Sequence, residues 1–387
     1  MTSAQRMAAI SPFIVMEILT RARQLEGAGR DIIHMEIGEP DFPTPPHILK
    51  AAAKALREVD IKYTPAGGLP ELRRAIAGFY EHQHGIRIDP QRIFVTPGAS
   101  GALLLVLGML VDPGNSVALA DPGYPCYPNL VRLYGGVPVR LAVDAGSAFN
   151  LTASLLEARW DAAMAGIILA SPANPTGSIM QPDVMQSLVD CVESRRGFVV
   201  SDEIYHGLEY GTPTQTALSC SDTVFVINSF SKYFGMTGWR LGWAVVPMSA
   251  VDVAERLAQN MFIAAPTPSQ WAALAAFDPE NLVELERRRQ QFAERRDVLC
   301  EGLQRLGFLL PAKPEGAFYV YADCRHVTPD SRAFALALLE EAGVAVTPGL
   351  DFGINHPERY LRFCYTASSQ RIREGLDRLA RFMRARP

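Results

Sequence analysis

One lysine, Lys232, stands in the run Ile227-Asn228-Ser229-Phe230-Ser231-Lys232-Tyr233-Phe234-Gly235-Met236-Thr237-Gly238-Trp239-Arg240. It follows a β-branched stretch and precedes a Gly-rich turn, with Arg240 eight residues further on. A lysine in a confined, mostly apolar pocket loses its charge easily, and the neutral amine attacks an aldehyde to form an imine. An arginine and hydroxyls nearby, here Arg240, Ser229 and Ser231, suit a phosphate. Aldehyde plus phosphate on one small molecule describes pyridoxal 5′-phosphate (PLP). A lone Ser-Xaa-Lys is ordinarily a surface lysine on a loop, so the reading depends on the rest of the chain.

Four other segments carry chemistry. Pro97-Gly98-Ala99-Ser100-Gly101 precedes an apolar helical pattern running to Leu110. Small residues there let free backbone N–H groups and the Ser100 hydroxyl face an anion, helped by the helix dipole. Asp202-Glu203-Ile204-Tyr205 follows the apolar run Phe198-Val199-Val200. A carboxylate there needs a cationic or hydrogen-bonding partner, and a protonated pyridine nitrogen is one. That pairing keeps the ring an electron sink, and Tyr205 suits the ring's phenolic oxygen. Asn174-Pro175-Thr176-Gly177 carries an amide suited to the same oxygen, and Asp121-Pro122-Gly123-Tyr124 carries a ring suited to stacking on a flat ligand. Taken singly, each segment reads equally as a turn or a helix start.

These segments need a common rim. Between residues 93 and 246 short β-branched runs alternate with helical patterns. The candidate strands are Ile93–Thr96, Val117–Ala120, Val137–Leu141, Gly166–Ala170, Gly197–Ser201, Thr223–Asn228 and Leu241–Val246. Near-continuous apolar runs suit a mainly parallel seven-stranded sheet covered by helices on both faces, an α/β arrangement that places ligands at the strands' carboxyl ends. The polar, Gly and Pro residues follow those ends. Helices are expected over Phe13–Glu26, His47–Val59, Leu69–His82 and Leu285–Arg305, with further strands at Ala317–Ala322 and Tyr360–Cys364. The expected division is a large domain over 46–280 and a smaller α+β domain built from 1–45 and 281–387.

Composition narrows the class. The 387 residues suffice for two domains with substantial cores. With 37 Lys+Arg against 41 Asp+Glu the net charge is −4, and no basic block occurs, which argues against nucleic acid or an anionic membrane as partner. Six scattered cysteines without a Cys-x-x-Cys pair read as reduced cytosolic thiols rather than a metal site. His82 and His84 lack further ligands and read as a solvated helix end. There is no signal-peptide core at Met1–Ile10 and no run of about eighteen apolar residues, so a soluble cytoplasmic protein is expected.

Together the segments resemble the class I/II aminotransferases of fold type I. The resemblance spans Gly38-Glu39-Pro40-Asp41-Phe42, Tyr63-Thr64-Pro65-Ala66-Gly67-Gly68, Asp121–Tyr124, Asn174–Gly177, Asp202–Tyr205, Ser229–Lys232 and Gly238-Trp239-Arg240, in the family's order and spacing. It implies that Lys232 holds PLP as a Schiff base and later shuttles the proton between the substrate Cα and C4′. It implies that Asp202 pairs with the pyridinium, and that Tyr205 and Asn174 bind the phenolic oxygen. Ala99, Ser100, Gly101, Ser229, Ser231 and Arg240 would hold the phosphate, and Tyr124 would stack on the ring. Arg362 would take the substrate α-carboxylate, with Gly38 and Asn174 beside it, and Arg359 would be solvated. Tyr63 would reach the phosphate of a neighbouring subunit, implying a homodimer with shared sites. The resemblance also implies cis peptides at Asp121–Pro122 and Asn174–Pro175.

The reaction so implied moves an amino group between an L-amino acid and a 2-oxo acid by ping-pong kinetics. Some relatives place a lysine at the position of Ser100 to bind a side-chain carboxylate; serine here favours neutral or hydrophobic amino acids. A PLP-dependent C–S (β) lyase of the same fold would use the same cofactor residues. A PLP-domain transcription regulator would need a DNA-binding segment longer than Met1–Ser11. A cofactor-free binding protein would leave the lysine, phosphate and ring motifs without a purpose.

Overall fold

The computed structural model describes residues 3–211 and 213–386. Its centre is a seven-stranded sheet in the order Ile93–Thr96, Gly242–Val245, Phe225–Ser229, Phe198–Asp202, Met164–Ala170, Ser116–Asp121, Val137–Ala142. Gly242–Val245 runs antiparallel to both neighbours and every other pairing is parallel. The interior strands are buried almost throughout, as expected of β-branched runs covered on both faces. The helix Gly98–Leu110 is apolar nearly all round and packs on this sheet, burying Leu103, Leu105, Val106 and Leu107.

All seven strands fall where the apolar runs place them, and four end one residue later than expected: Ser116–Asp121, Val137–Ala142, Phe198–Asp202 and Phe225–Ser229. Phe198–Asp202 and Phe225–Ser229 each continue one residue further, because Asp202 pairs with Ala170 and Ile227, and Ser229 with Gly242. Asp202 and Ser229 are therefore held by ladder hydrogen bonds instead of lying in loops. The long charged helix is Pro279–Arg305, beginning six residues before the expected Leu285. Pro279 at its first turn has no N–H to leave unpaired and so opens the helix.

A second, antiparallel sheet orders Thr347–Pro348, Tyr360–Cys364 and Tyr319–Asp323. Near it, Ile33–His34 pairs in parallel with Val344–Ala345, joining the amino-terminal segment to the carboxyl-terminal third. Ile33 and Met35 share one buried cluster with Phe318, Phe363, Ile372 and Phe382. The connector from Gly38 to Thr44 is pinned at several points. Arg295 donates to the Asp41 carboxylate at 2.7 Å and lies over the Phe42 ring, and Arg288 donates to the Pro43 carbonyl at 2.7 Å. The Asp121–Pro122, Ser171–Pro172 and Asn174–Pro175 peptides are cis.

Candidate active site

The carboxyl ends of the parallel strands and the edge of the second sheet enclose a cavity of about 160 Å³. Lys232, Asp202, Tyr205, Asn174, Tyr124, Gly38 and Arg362 all line it, with Tyr127, Tyr319, Val15 and Ile37. Residues up to about 350 positions apart in sequence thus meet because strand ends from both sheets converge there.

Lys232 is held with its ammonium donating to the Gly38 carbonyl at 2.7 Å. Burial is the main reason that its pKa falls to about 8. Gly38 has no space for a side chain, since a Cβ would collide with the Tyr319 hydroxyl. Asp202 is 3% exposed and its carboxylate accepts from the Tyr127 hydroxyl at 2.6 Å and the Ile204 N–H at 3.2 Å. Burial lifts its pKa to about 6, while the Tyr127 bond, the Ile204 N–H and the Lys232 charge pull in the other direction. A buried carboxylate with one hydrogen-bond donor on each oxygen and an open cavity beside it suits a cation that enters from the cavity.

Tyr205 and Tyr319 share a hydrogen bond at 2.7 Å. Arg362, from the second sheet, donates through Nη1 to Asn174 Oδ1 at 2.9 Å and through Nη2 to the Glu36 carbonyl and to Thr347 Oγ1. Its guanidinium lies 4.4 Å from the Tyr319 ring centroid and 4.6 Å from that of Phe352. Its Nε is buried and has no partner among the described residues. A planar fork flanked by two rings, facing a cavity, is built for a planar anion.

At the other end, Arg240 adopts a left-handed backbone at φ 51° and turns its guanidinium over Gly98, where a Cβ would lie 2.7 Å from Nη2. Gly98 itself has φ 73° and opens the helix, so its conformation and the close approach both require glycine. Ser229 Oγ accepts from the Ser231 N–H at 3.0 Å. Arg240 over Gly98, Ser229 paired with Gly242 beside the Ala99 N–H, and Ser100 in the first turn thus gather at one helix start, with Ser231 tied to Ser229. Gly101 follows in the same first turn, buried where a Cβ would crowd Pro97. Tyr63 lies outside this chain's cavity, 81% exposed beside Ala264–Pro268. Arg359 is paired with Glu358 at the surface.

Tyr127 and Tyr319 are site residues that the motifs do not single out. Tyr127 lies three residues after Tyr124, one helical step, and Tyr319 opens a strand whose alternate residues face the cavity and Tyr360. Val15 and Ile37 come from the amino-terminal segment, whose route over the cavity no local pattern reveals. Among the described residues no group of three His, Cys, Asp or Glu could hold a metal, and no helix is long and apolar enough to cross a membrane.

An α/β fold of this topology, with a buried lysine, a buried carboxylate and an anion-binding helix start around one cavity, defines an enzyme of the PLP-dependent fold type I group. The family model for aminotransferase class I and II matches residues 30–379, and the chain belongs to that family. Valine–pyruvate aminotransferase of Mycobacterium tuberculosis is 38% identical over 97% of both chains. Aspartate/prephenate aminotransferase of Thermus thermophilus is 33% identical over 98% of both. The crystal structure of an aminotransferase from Mycobacterium tuberculosis superposes with a TM-score of 0.96 at 38% identity, covering 100% of each chain. The protein is a PLP-dependent aminotransferase acting between an amino acid and a 2-oxo acid.

Proposed function

We propose that the amino donor is a neutral, apolar L-amino acid, and that the residues around the cavity divide the work as follows. Bound PLP supplies the reactive aldehyde and an electron sink. Lys232, with its amine held close to neutrality by burial, attaches the cofactor and then carries the proton between Cα and C4′. Asp202 faces the pyridinium, Tyr205 and Asn174 hold the phenolic oxygen, and Tyr124 covers one ring face. Ala99, Ser100, Gly101, Ser229, Ser231 and Arg240 hold the phosphate. Arg362 grips the α-carboxylate through its flat edge, and Gly38 keeps Lys232 in place until substrate displaces it.

One observation carries the donor class. The described residues lining the cavity include two cations, Lys232 and Arg362, and both are committed to the reacting end. The remaining wall, with Val15, Ile37, Tyr124 and Tyr319, is apolar or aromatic, and the family resemblance puts Ser100 at a position where some relatives carry a lysine for a second carboxylate. The relative named for valine and pyruvate supports this reading; the relative named for aspartate and prephenate marks the alternative. Amino acids added singly to the PLP form separate them: loss of the cofactor's visible band with valine, leucine or phenylalanine is expected, and a faster response to aspartate sinks the proposal. Restoration of the band by a 2-oxo acid distinguishes transamination from the C–S lyase reaction.

We further propose a cytoplasmic homodimer with a biosynthetic role in amino acid metabolism. Tyr63 is turned away from its own chain's cavity, at a position where it serves a neighbour's phosphate.

A further inference from the structure

Behind the wall that carries Asp202 lies a buried polar cluster that the reaction leaves unused. Glu203 is 1% exposed and is absent from the cavity lining. Its Oε1 accepts from the Ala217 N–H at 2.8 Å and the Ser201 hydroxyl at 3.1 Å. Its Oε2 is buried without a partner among the described residues and lies 3.6 Å from His206 Nδ1. His206 is 5% exposed, and both its ring nitrogens are likewise unpartnered. The His84 ring stands 5.5 Å from the His206 ring, so a residue that reads in sequence as a solvated helix end reaches into this cluster.

We infer that Glu203 and His206 form an uncharged dyad, carboxylic acid to imidazole, that positions Tyr205 and Asn174 for the cofactor. A lone buried carboxylate is costly, and the groups facing Glu203 here are hydroxyls, a backbone N–H and an imidazole instead of a cation. Burial raises the Glu203 carboxyl to about 7 and lowers the His206 imidazole to about 3, so both are neutral between those values. The His84 imidazole, itself lowered to about 4 by burial, adds no charge at neutral pH, and the Tyr80 hydroxyl stays protonated. With Oε1 already accepting twice, the acid proton belongs on Oε2, and Nδ1 of His206 is the acceptor in front of it. A small side-chain rotation closes the 3.6 Å gap. Nε2 then carries the other proton. The one shared proton thus satisfies two of the three orphaned atoms, Oε2 and Nδ1.

The position gives this dyad its purpose. The turn between Glu203 and His206 carries Tyr205, and His206 N–H donates to the Glu203 carbonyl at 3.0 Å. Ser171 opens the turn carrying Asn174, and its N–H donates to the Asp202 carbonyl at 3.2 Å. Side chains from one strand end therefore tie together two turns, each bearing a proposed ligand of the phenolic oxygen. The inference rests on those proposed roles of Tyr205 and Asn174.

Histidine-labelled holoenzyme, observed by ¹⁵N NMR, tests the dyad. One of the seven histidines should remain a neutral Nε2–H tautomer with a hydrogen-bonded Nδ1 across about pH 4.5 to 6.5, above the lowered imidazole and below the Glu203 carboxyl at about 7. Its Nδ1 signal should move in Glu203→Gln, which assigns it. Glu203→Gln keeps a donor toward Nδ1 and should retain kcat within about twofold. Glu203→Ala should lower kcat about tenfold with little change in KM, and should shift the cofactor's visible band. A His206 that titrates in this range or carries its proton on Nδ1 overturns the inference. So does a Gln variant as impaired as the Ala variant, or an Ala variant that loses only thermal stability. Should Glu203→Ala fail to fold, the wild-type tautomer and the Gln variant still decide. The tautomer is read independently of Lys232, so loss of the cofactor roles would not disturb that result.

Discussion

Arg362 donates to the Asn174 side chain at 2.9 Å across 188 residues, joining the second sheet to the rim of the large one. The residue proposed for the substrate carboxylate thereby touches the residue proposed for the cofactor's phenolic oxygen. Binding at one is felt at the other without any intermediary. Replacing Arg362 by lysine removes the planar fork and its stacking between Tyr319 and Phe352. KM for both amino and oxo acids should rise about 10-fold or more, since hydrogen bonds to charged groups contribute roughly 1.5–3 kcal/mol. Cofactor affinity should persist. Equal substrate affinity in the variant would place the carboxylate site elsewhere.

Lys232→Ala should abolish both covalent cofactor attachment and transamination, read by visible absorbance and by product formation. In the wild-type chain the depressed lysine pKa has a kinetic consequence. The amine is neutral above about pH 8 instead of above its ordinary 10.5. Recombination of apoenzyme with PLP should therefore accelerate as pH rises, with a midpoint near 8, measured by stopped-flow absorbance. A midpoint above 10 would mean that burial does not control this amine.

Tyr127→Phe removes the 2.6 Å bond to Asp202. That bond favours the ionised carboxylate, so its loss should raise the Asp202 pKa further above about 6. The acid limb of kcat/KM should move to higher pH, with kcat several-fold lower near neutrality. An unmoved limb would show that Asp202 does not govern it. Asp202→Asn, which removes the charge altogether, should cost at least ~100-fold in kcat, on the scale of other lost electrostatic partners, while the cofactor stays attached.

Tyr63→Phe should leave the oligomer intact and weaken cofactor retention on dialysis by about tenfold, the lower end expected for a hydrogen bond to a charged group. Sedimentation of the wild-type enzyme should give a dimer. A fully active monomer, or unchanged retention in the variant, would remove Tyr63 from the site.

Much of this protein is legible in its residues because local chemistry dictates it. β-branched runs buried on both faces leave few alternatives to a parallel sheet, and the polar residues at their carboxyl ends mark the rim where Lys232, Asp202, Asn174 and Tyr124 meet. Pro279 shows where local rules mislead: the same ring that breaks a helix interior is harmless in its first turn, and only the assembled helix tells which applies.

What tertiary structure alone decides is which distant groups share an environment. Tyr319, Tyr127 and Val15 reach the cavity through strand pairing and chain routing, which leave no local mark. At Gly101 the assembled helix adds a packing demand to the anion turn, since a Cβ there would crowd Pro97. The same holds for charge: the sequence alone supplies Lys232, Asp202, Glu203 and His206 as ordinary titratable groups. Their altered proton affinities arise from burial, a property of the packed chain and of no single segment.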